Sequence, residues 1–204
     1  MANERYSMSF TTGGLFHRES VMIATLYLEL RDWDAVRDKI LSDNLLQTRT
    51  FETSKRLCRE IISRLKKLSS PELKFLVHAN FQEQAYLLWI AVCRRYKFIE
   101  DFAIEVLRER YLSLKTDLRH EDFDSFFNKK AEWHNELDQI RPATRNKLRQ
   151  VMFKILHEAD LLTTNNTINA AMLSPGLLET IHHGNRRDAL TFPAVESDLR
   201  TVAQ

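Results

Sequence analysis

The chain of 204 residues is poor in the residues that break or staple a fold: 4 Gly, 4 Pro and 2 Cys. So few breakers predict a mainly helical protein. Two cysteines exclude the disulfide framework of a small secreted domain. Cys58 and Cys93 each fall among apolar helical positions, as reduced, buried thiols of a cytoplasmic protein do. Long apolar runs are also missing. The longest, residues 87–93, is far short of the roughly 20 residues that span a bilayer. The polar start MANERYSMSF lacks the apolar stretch of a signal peptide. A soluble protein without a membrane partner is expected. Neither sign of charge dominates: the net value is +2, so attraction to a polyanion has to come from local clustering. What the chain does have is a globular composition, 44% hydrophobic and 28% charged, with enough length to bury a core.

Apolar spacing predicts helices over residues 15–31 and 32–43, then a third helix after Thr50, with Thr50 as N-cap and Glu52 in its first turn. SSPEL restarts the chain with Ser70 as cap and Pro71 in the first turn. NFQE reads as a capping box of Asn80 and Glu83. The helix that follows, residues 81–96, is apolar on nearly every side and is expected at the centre of the core. Further helices are predicted over 97–114, over 121–140 and from Pro142 to the HEADLL stretch. LLTTNNTINAAML, residues 161–173, then changes character. Apolar or β-capable flanks around Asn165 and Asn166 predict a small β-hairpin. A last helix is capped by Ser174, carries Pro175 and stops at Gly184, before a polar, irregular tail.

Local charge is uneven. Residues 44–68 hold seven Lys/Arg and two acids, residues 69–140 hold ten against thirteen, and residues 141–154 hold five and no acid. Helical periodicity decides where each basic island points. In the first, Leu57, Cys58, Ile61, Ile62, Leu65 and Leu68 fall on one side. Lys55, Arg56, Arg59, Ser63, Lys66 and Lys67 fall opposite, with Glu52. In the second, Leu148, Val151, Met152, Ile155 and Ala159 form the inner side, and Asn146, Arg149, Gln150, Phe153, Lys154 and His157 point out. An apolar stripe must dock, so each basic face is expected in solvent, where such side chains suit phosphates and groove edges.

The order helix, short turn, basic helix over residues 32–68 reads as a helix-turn-helix, with Thr50, Thr53, Lys55 and Arg56 as forward contacts and Arg49 and Arg59 on the backbone. The basic helix and hairpin of residues 142–184 read as the second half of a winged helix, with TTNNT at the wing tip. The expected architecture is therefore a mainly α, compact multi-helix bundle. It has a helical N-terminal part (1–115) and a C-terminal part (116–204) packed as one unit. Solvated charge is the plain alternative, since exposed helix faces are usually charged.

Other constellations carry less. TTGG lacks the Lys-Ser/Thr ending of a phosphate-binding loop. His182 and His183 adjoin a helix end and point apart, so they need further metal ligands that the sequence does not supply. RHEDFD reads as acids at a helix start. Neither cysteine has a spaced His, no Ser sits in a nucleophile elbow, and no catalytic set, cofactor or metal site emerges.

Four segments carry a family resemblance: YSMSFTTGGLFHRES, NLLQTRTFETSKRLCREIISRLKKL, FAIEVLRERYLSLKTDL and ILHEADLL. In this order, over about residues 6–181, they resemble the BrxA family, small proteins encoded with bacteriophage-exclusion (BREX) defence systems. The resemblance implies a cytoplasmic, largely helical accessory protein without known catalysis, able to bind double-stranded DNA. The resemblance supplies no contact residues; the helical faces do, and they give a DNA contact set of Arg49, Thr50, Thr53, Lys55, Arg56, Arg59, Lys66, Arg145, Lys147, Arg149 and Lys154. Other BREX proteins are further expected partners. The rival readings are an assembly adaptor of the defence complex and an RNA-binding helical domain. The two-face reading requires free cations, and neutralisation of Arg56 or Arg149 by acids within the fold would end it.

Overall fold

The structure, a computed structural model, describes residues 5–199. Before the first helix, an extended segment buries Tyr6 and Phe10. The TTGG turn then leads into α1 (His17–Leu30), followed by α2 (Trp33–Ser42) and α3 (Phe51–Leu65). Gly14 is dictated by close approach, because a Cβ there would lie 2.2 Å from a carboxylate oxygen of Glu158. That carboxylate accepts a hydrogen bond from the Leu15 amide.

The Thr50 hydroxyl caps α3 by accepting from the Thr53 amide at 3.3 Å. α4 (Ser70–His78) is capped by Ser69 instead of Ser70. The reason is the spacing of the capping box: Glu72 reaches back three residues to the Ser69 amide at 2.7 Å. The Asn80–Glu83 box starts α5 (Phe81–Arg95) as expected. Every residue from Ala85 to Cys93 is buried, so α5 is the hub of the core. Each large apolar side chain buried there contributes roughly 1.5–3 kcal/mol. The two thiols, Cys58 and Cys93, are free and buried, and burial pushes both thiols up from their ordinary value.

α6 (Lys97–Phe102) continues through a π-helical turn, Ala103–Arg108, into α7 (Glu109–Leu112). Phe98 meets Tyr6, Phe123, Phe126 and Phe127 at centroid distances of 5.2–5.9 Å, joining the two sequence halves in one aromatic core. The helix predicted over 121–140 is interrupted: α8 (His120–Ala131) stops before a turn, and α9 (Asn135–Asp138) follows. Docking of the N-terminal segment explains the break. His134, with non-helical backbone, stacks on Tyr6 at 4.0 Å, and the Tyr6 amide donates to Glu136 at 2.7 Å.

α10 (Pro142–Glu158) ends in a Schellman turn, with Asp160 at positive φ and the Leu161 amide bonded to the Leu156 carbonyl at 2.9 Å. The predicted hairpin does not form, and no strand occurs among the described residues. Two isolated antiparallel bridges, Leu162 with Ile168 and Asp117 with Thr167, are all that pairs. The cause is length. The Schellman turn holds the chain to Leu161, and a tight turn at 163–166 follows at once, so no run is left to build a ladder. Without it there is no wing. α11 (Pro175–Gly184) is capped by Ser174 as expected, but the segment after it is not loose. Residues 185–199 make two 3₁₀ turns that bury Ala189, Thr191 and Phe192, with the Trp89 indole donating to the Thr191 carbonyl at 3.2 Å. The side chains of His182 and His183 lie outside the described residues.

Candidate nucleic-acid interface

α3 separates its two sides sharply. Cys58, Ile61, Ile62 and Leu65 are buried, while Glu52, Lys55, Arg56, Arg59 and Lys66 are exposed. Two charged residues of the island turn inward and pair with each other. Arg64 is 4% exposed; its Nε donates to Glu60 at 2.8 Å and its Nη1 to the Gly14 carbonyl at 2.7 Å. Glu60 also accepts from the Tyr96 hydroxyl, which burial and this carboxylate push up to about 12. Removing this internal pair leaves six outward cations, Arg49, Lys55, Arg56, Arg59, Lys66 and Lys67, against the single acid Glu52. None of the six makes an ion pair among the described residues. From Lys55 to Lys66 the row extends about 16 Å. Arg49, the N-cap Thr50 and Thr53 of the first turn sit at its start, the Thr50 hydroxyl donating to the Thr53 hydroxyl at 2.8 Å.

α10 does not match this. Its inner side is buried as predicted, but Arg145, Arg149 and Phe153, three positions one turn apart, are turned to α8: the two arginines are half-buried and Phe153 is buried. Arg145 donates to the Asp124 carboxylate at 3.0 Å and to Asn128 at 2.7 Å, with its guanidinium 4.4 Å from the centre of the Phe127 ring. Arg149 is ion-paired with the same carboxylate. Phe153 is 4% exposed and meets the edge of His120 at 4.6 Å. The expectation of an outward Phe153 is therefore overturned, and Arg149 is half-buried and neutralised by an acid of the fold. Periodicity located the stripe, but a second helix covers it. Of the remaining candidates Lys147 is exposed, and Lys154 is 3.6 Å from Glu158. The two-face condition fails at Arg149 and holds at Arg56.

α2 and α3 pack together in the predicted order. Their connection, residues 43–50, is longer than the roughly 3–4-residue turn of the DNA-binding helix-turn-helix. Sequence reasoning missed the inward pairing of Arg64 with Glu60. The (i, i+4) spacing of the two residues was the available signal. It also missed Arg94, which binds Glu72 at 2.6 Å and Asp188 at 2.6 Å and so ties the C-terminal segment to α4 and α5. No grouping of His, Cys, Asp and Glu able to hold a metal occurs among the described residues, and no helix among them is long and apolar enough to cross a membrane.

The described residues form an all-α fold in which α3 presents a face of cations without ion-pair partners. The BrxA family profile matches residues 4–185, and the chain belongs to the BrxA family of BREX systems. Relatives named BREX protein BrxA include one from Bacillus cereus, 26% identical over 72% of this chain and 74% of the relative. A second, from Escherichia coli, is 25% identical over 88% of this chain and 85% of its own length. A third, from Paramagnetospirillum magneticum, is 26% identical over 92% and 95% respectively. Among solved structures, an uncharacterized protein from Magnetospirillum magneticum shares the fold. Its TM-score is 0.80 at 21% identity, over 93% of this chain and 98% of that one.

Proposed function

We propose that this protein is a non-enzymatic accessory protein of BREX phage defence that binds double-stranded DNA in the cytoplasm through the outer face of α3. The observation that carries the reading is the row of exposed cations on that face without an acidic partner among the described residues. Several cations elsewhere are engaged: Arg94, Arg110, Lys130, Arg145 and Arg149 all hold carboxylates. Free Lys and Arg along a rigid helix release counterions on meeting phosphates, which gives affinity without sequence discrimination. A helix of this kind fits the roughly 12 Å-wide major groove of B-DNA. The narrow major groove of A-form RNA excludes it.

Few groups on this face can read a base edge, because the Thr50 hydroxyl is occupied at the cap, accepting from the Thr53 amide and donating to the Thr53 hydroxyl. Binding with little sequence preference follows. The test is fluorescence anisotropy of a labelled duplex, with unlabelled duplexes of other sequence and a structured RNA as competitors. Equal competition by the duplexes and none by the RNA is expected. Superior competition by RNA would overturn the reading.

A further inference from the structure

Beside the cationic row lies a groove between α2 and α3 that phosphate binding does not account for. Its cavity is about 370 Å³, and its floor is apolar: Trp33, Leu41 and Ile62. The Trp33 ring is fixed in place by stacking on Tyr27, with centroids 3.9 Å apart and planes within 11°. On the α3 side stand Lys55, Arg59 and Lys66, the last with its ammonium 6.0 Å from the centre of the Trp33 ring. On the α2 side the only lining acid, Asp34, is ion-paired with Arg37 at 3.1 Å. Three unpaired cations therefore overhang an apolar floor.

Duplex DNA would meet those cations but has no large apolar group to seat on the floor. A single nucleotide would seat its base but brings its charge to one point. Lys55 and Arg59 are one turn apart, and Lys66 lies about two turns further on, with Ile62 between. The charges of the occupant must accordingly lie on both sides of its apolar group.

We infer that the groove docks a short acidic segment of a partner protein. One aliphatic or aromatic side chain sits on Trp33, Leu41 and Ile62, and flanking Asp or Glu reach Lys55 and Arg59 on one side and Lys66 on the other. Such a charged rim around an apolar anchor is how small peptide sites combine affinity with orientation. Because these three cations also belong to the proposed DNA face, segment and duplex exclude each other. That exclusion rests on the DNA reading; the docking does not.

The experiment uses the full chain and fluorescein-labelled ten-residue peptides with Leu, Phe or Trp between runs of Glu and Asp. The same peptides with Ser at the centre, or with Lys flanks, serve as controls. At least one anchored peptide is expected to bind about tenfold or more tighter than its Ser-centred control and to shift the Trp33 indole N–H signal in NMR spectra. Leu41→Asn removes that preference and keeps duplex binding. Arg56→Glu, outside the groove, weakens duplex binding and keeps the preference. Should Leu41→Asn fail to fold, Lys66→Glu and the anchored-versus-Ser comparison on the unaltered chain decide. Equal binding of Ser-centred and anchored peptides overturns the proposal. So does a nucleoside monophosphate that shifts Trp33 where no peptide does. Peptide binding without duplex binding would leave the docking standing and remove the DNA reading instead.

Discussion

α3 and α10 are alike in sequence and different in place. Each carries basic residues at helical spacing opposite an apolar stripe. On α3 the cations reach water, because the helix packs by one side only and its internal Arg64 is matched by Glu60. On α10 a second helix lies across the charged side, and Asp124 of α8 engages both Arg145 and Arg149. Counting charge along a chain therefore says little about a binding face until the neighbours of each charge are known. An arginine held by a carboxylate of a neighbouring helix is part of the fold. An arginine held by nothing is available to a ligand.

The buried end of that scale is the Arg94 cluster, where the largest effect is expected. Glu72→Ala leaves Arg94 and Asp188 without their third member and should cost roughly 3–5 kcal/mol in urea unfolding. Acid should act through the same residue. Burial pushes the Glu72 carboxyl up, but hydrogen bonds from Arg94 and Ser69 outweigh it and hold the group below its usual 4.5. Its contribution is present above that value and lost as pH falls through the folded value. Asp188, raised by burial beyond what Arg94 offsets, works in the opposite sense, and its ionisation above 3.8 opposes folding. Unfolding midpoints should thus fall below about pH 4.5 in the unaltered chain. Glu72→Gln should shrink that acid limb, leaving the part due to Asp117 and Glu136, whose carboxyls are also held below their usual range.

At the exposed end, Arg56→Glu with Arg59→Glu should weaken duplex binding about a hundredfold at moderate salt, with the melting temperature unchanged. Asp124→Ala cuts across the comparison. It should destabilise the protein by about 1–3 kcal/mol, since the ion pairs are partly buried, and at the same time free two cations and tighten duplex binding. If binding stays the same, α10 has no access to DNA even when its charges are released. Thr50→Ala is the smallest expected change, about 1 kcal/mol of stability from the lost cap, read in a thermal melt.

Much of the fold could be read from the chain because local rules act on it directly. Thr50, Asn80 and Ser174 cap where their side chains predict, and the unbroken apolar run of α5 puts it at the centre. The errors arise where distant segments decide. Ser69 displaces Ser70 because Glu72 selects its partner by spacing. The helix over 121–140 breaks because Tyr6 docks against His134. The hairpin fails because the end of α10 takes the residues that it would need. At the candidate site, the face of α3 was legible because no described helix covers Lys55, Arg56 and Arg59. The covering of α10 was not, since the periodicity of one helix contains no information about a second helix lying on it. The Phe and Asp positions of α8, Asp124 and Phe127 among them, were the available hint.

The most direct measurement is the slope of log affinity against log salt for a short duplex. It should be taken on the unaltered chain, on Arg56→Gln with Arg59→Gln, and on Arg145→Gln with Arg149→Gln. Six free cations predict a slope near −5, shallower by about two for the α3 variant and unchanged for the α10 variant. A slope that is flat from the start, or one that falls as much for α10 as for α3, would contradict the account.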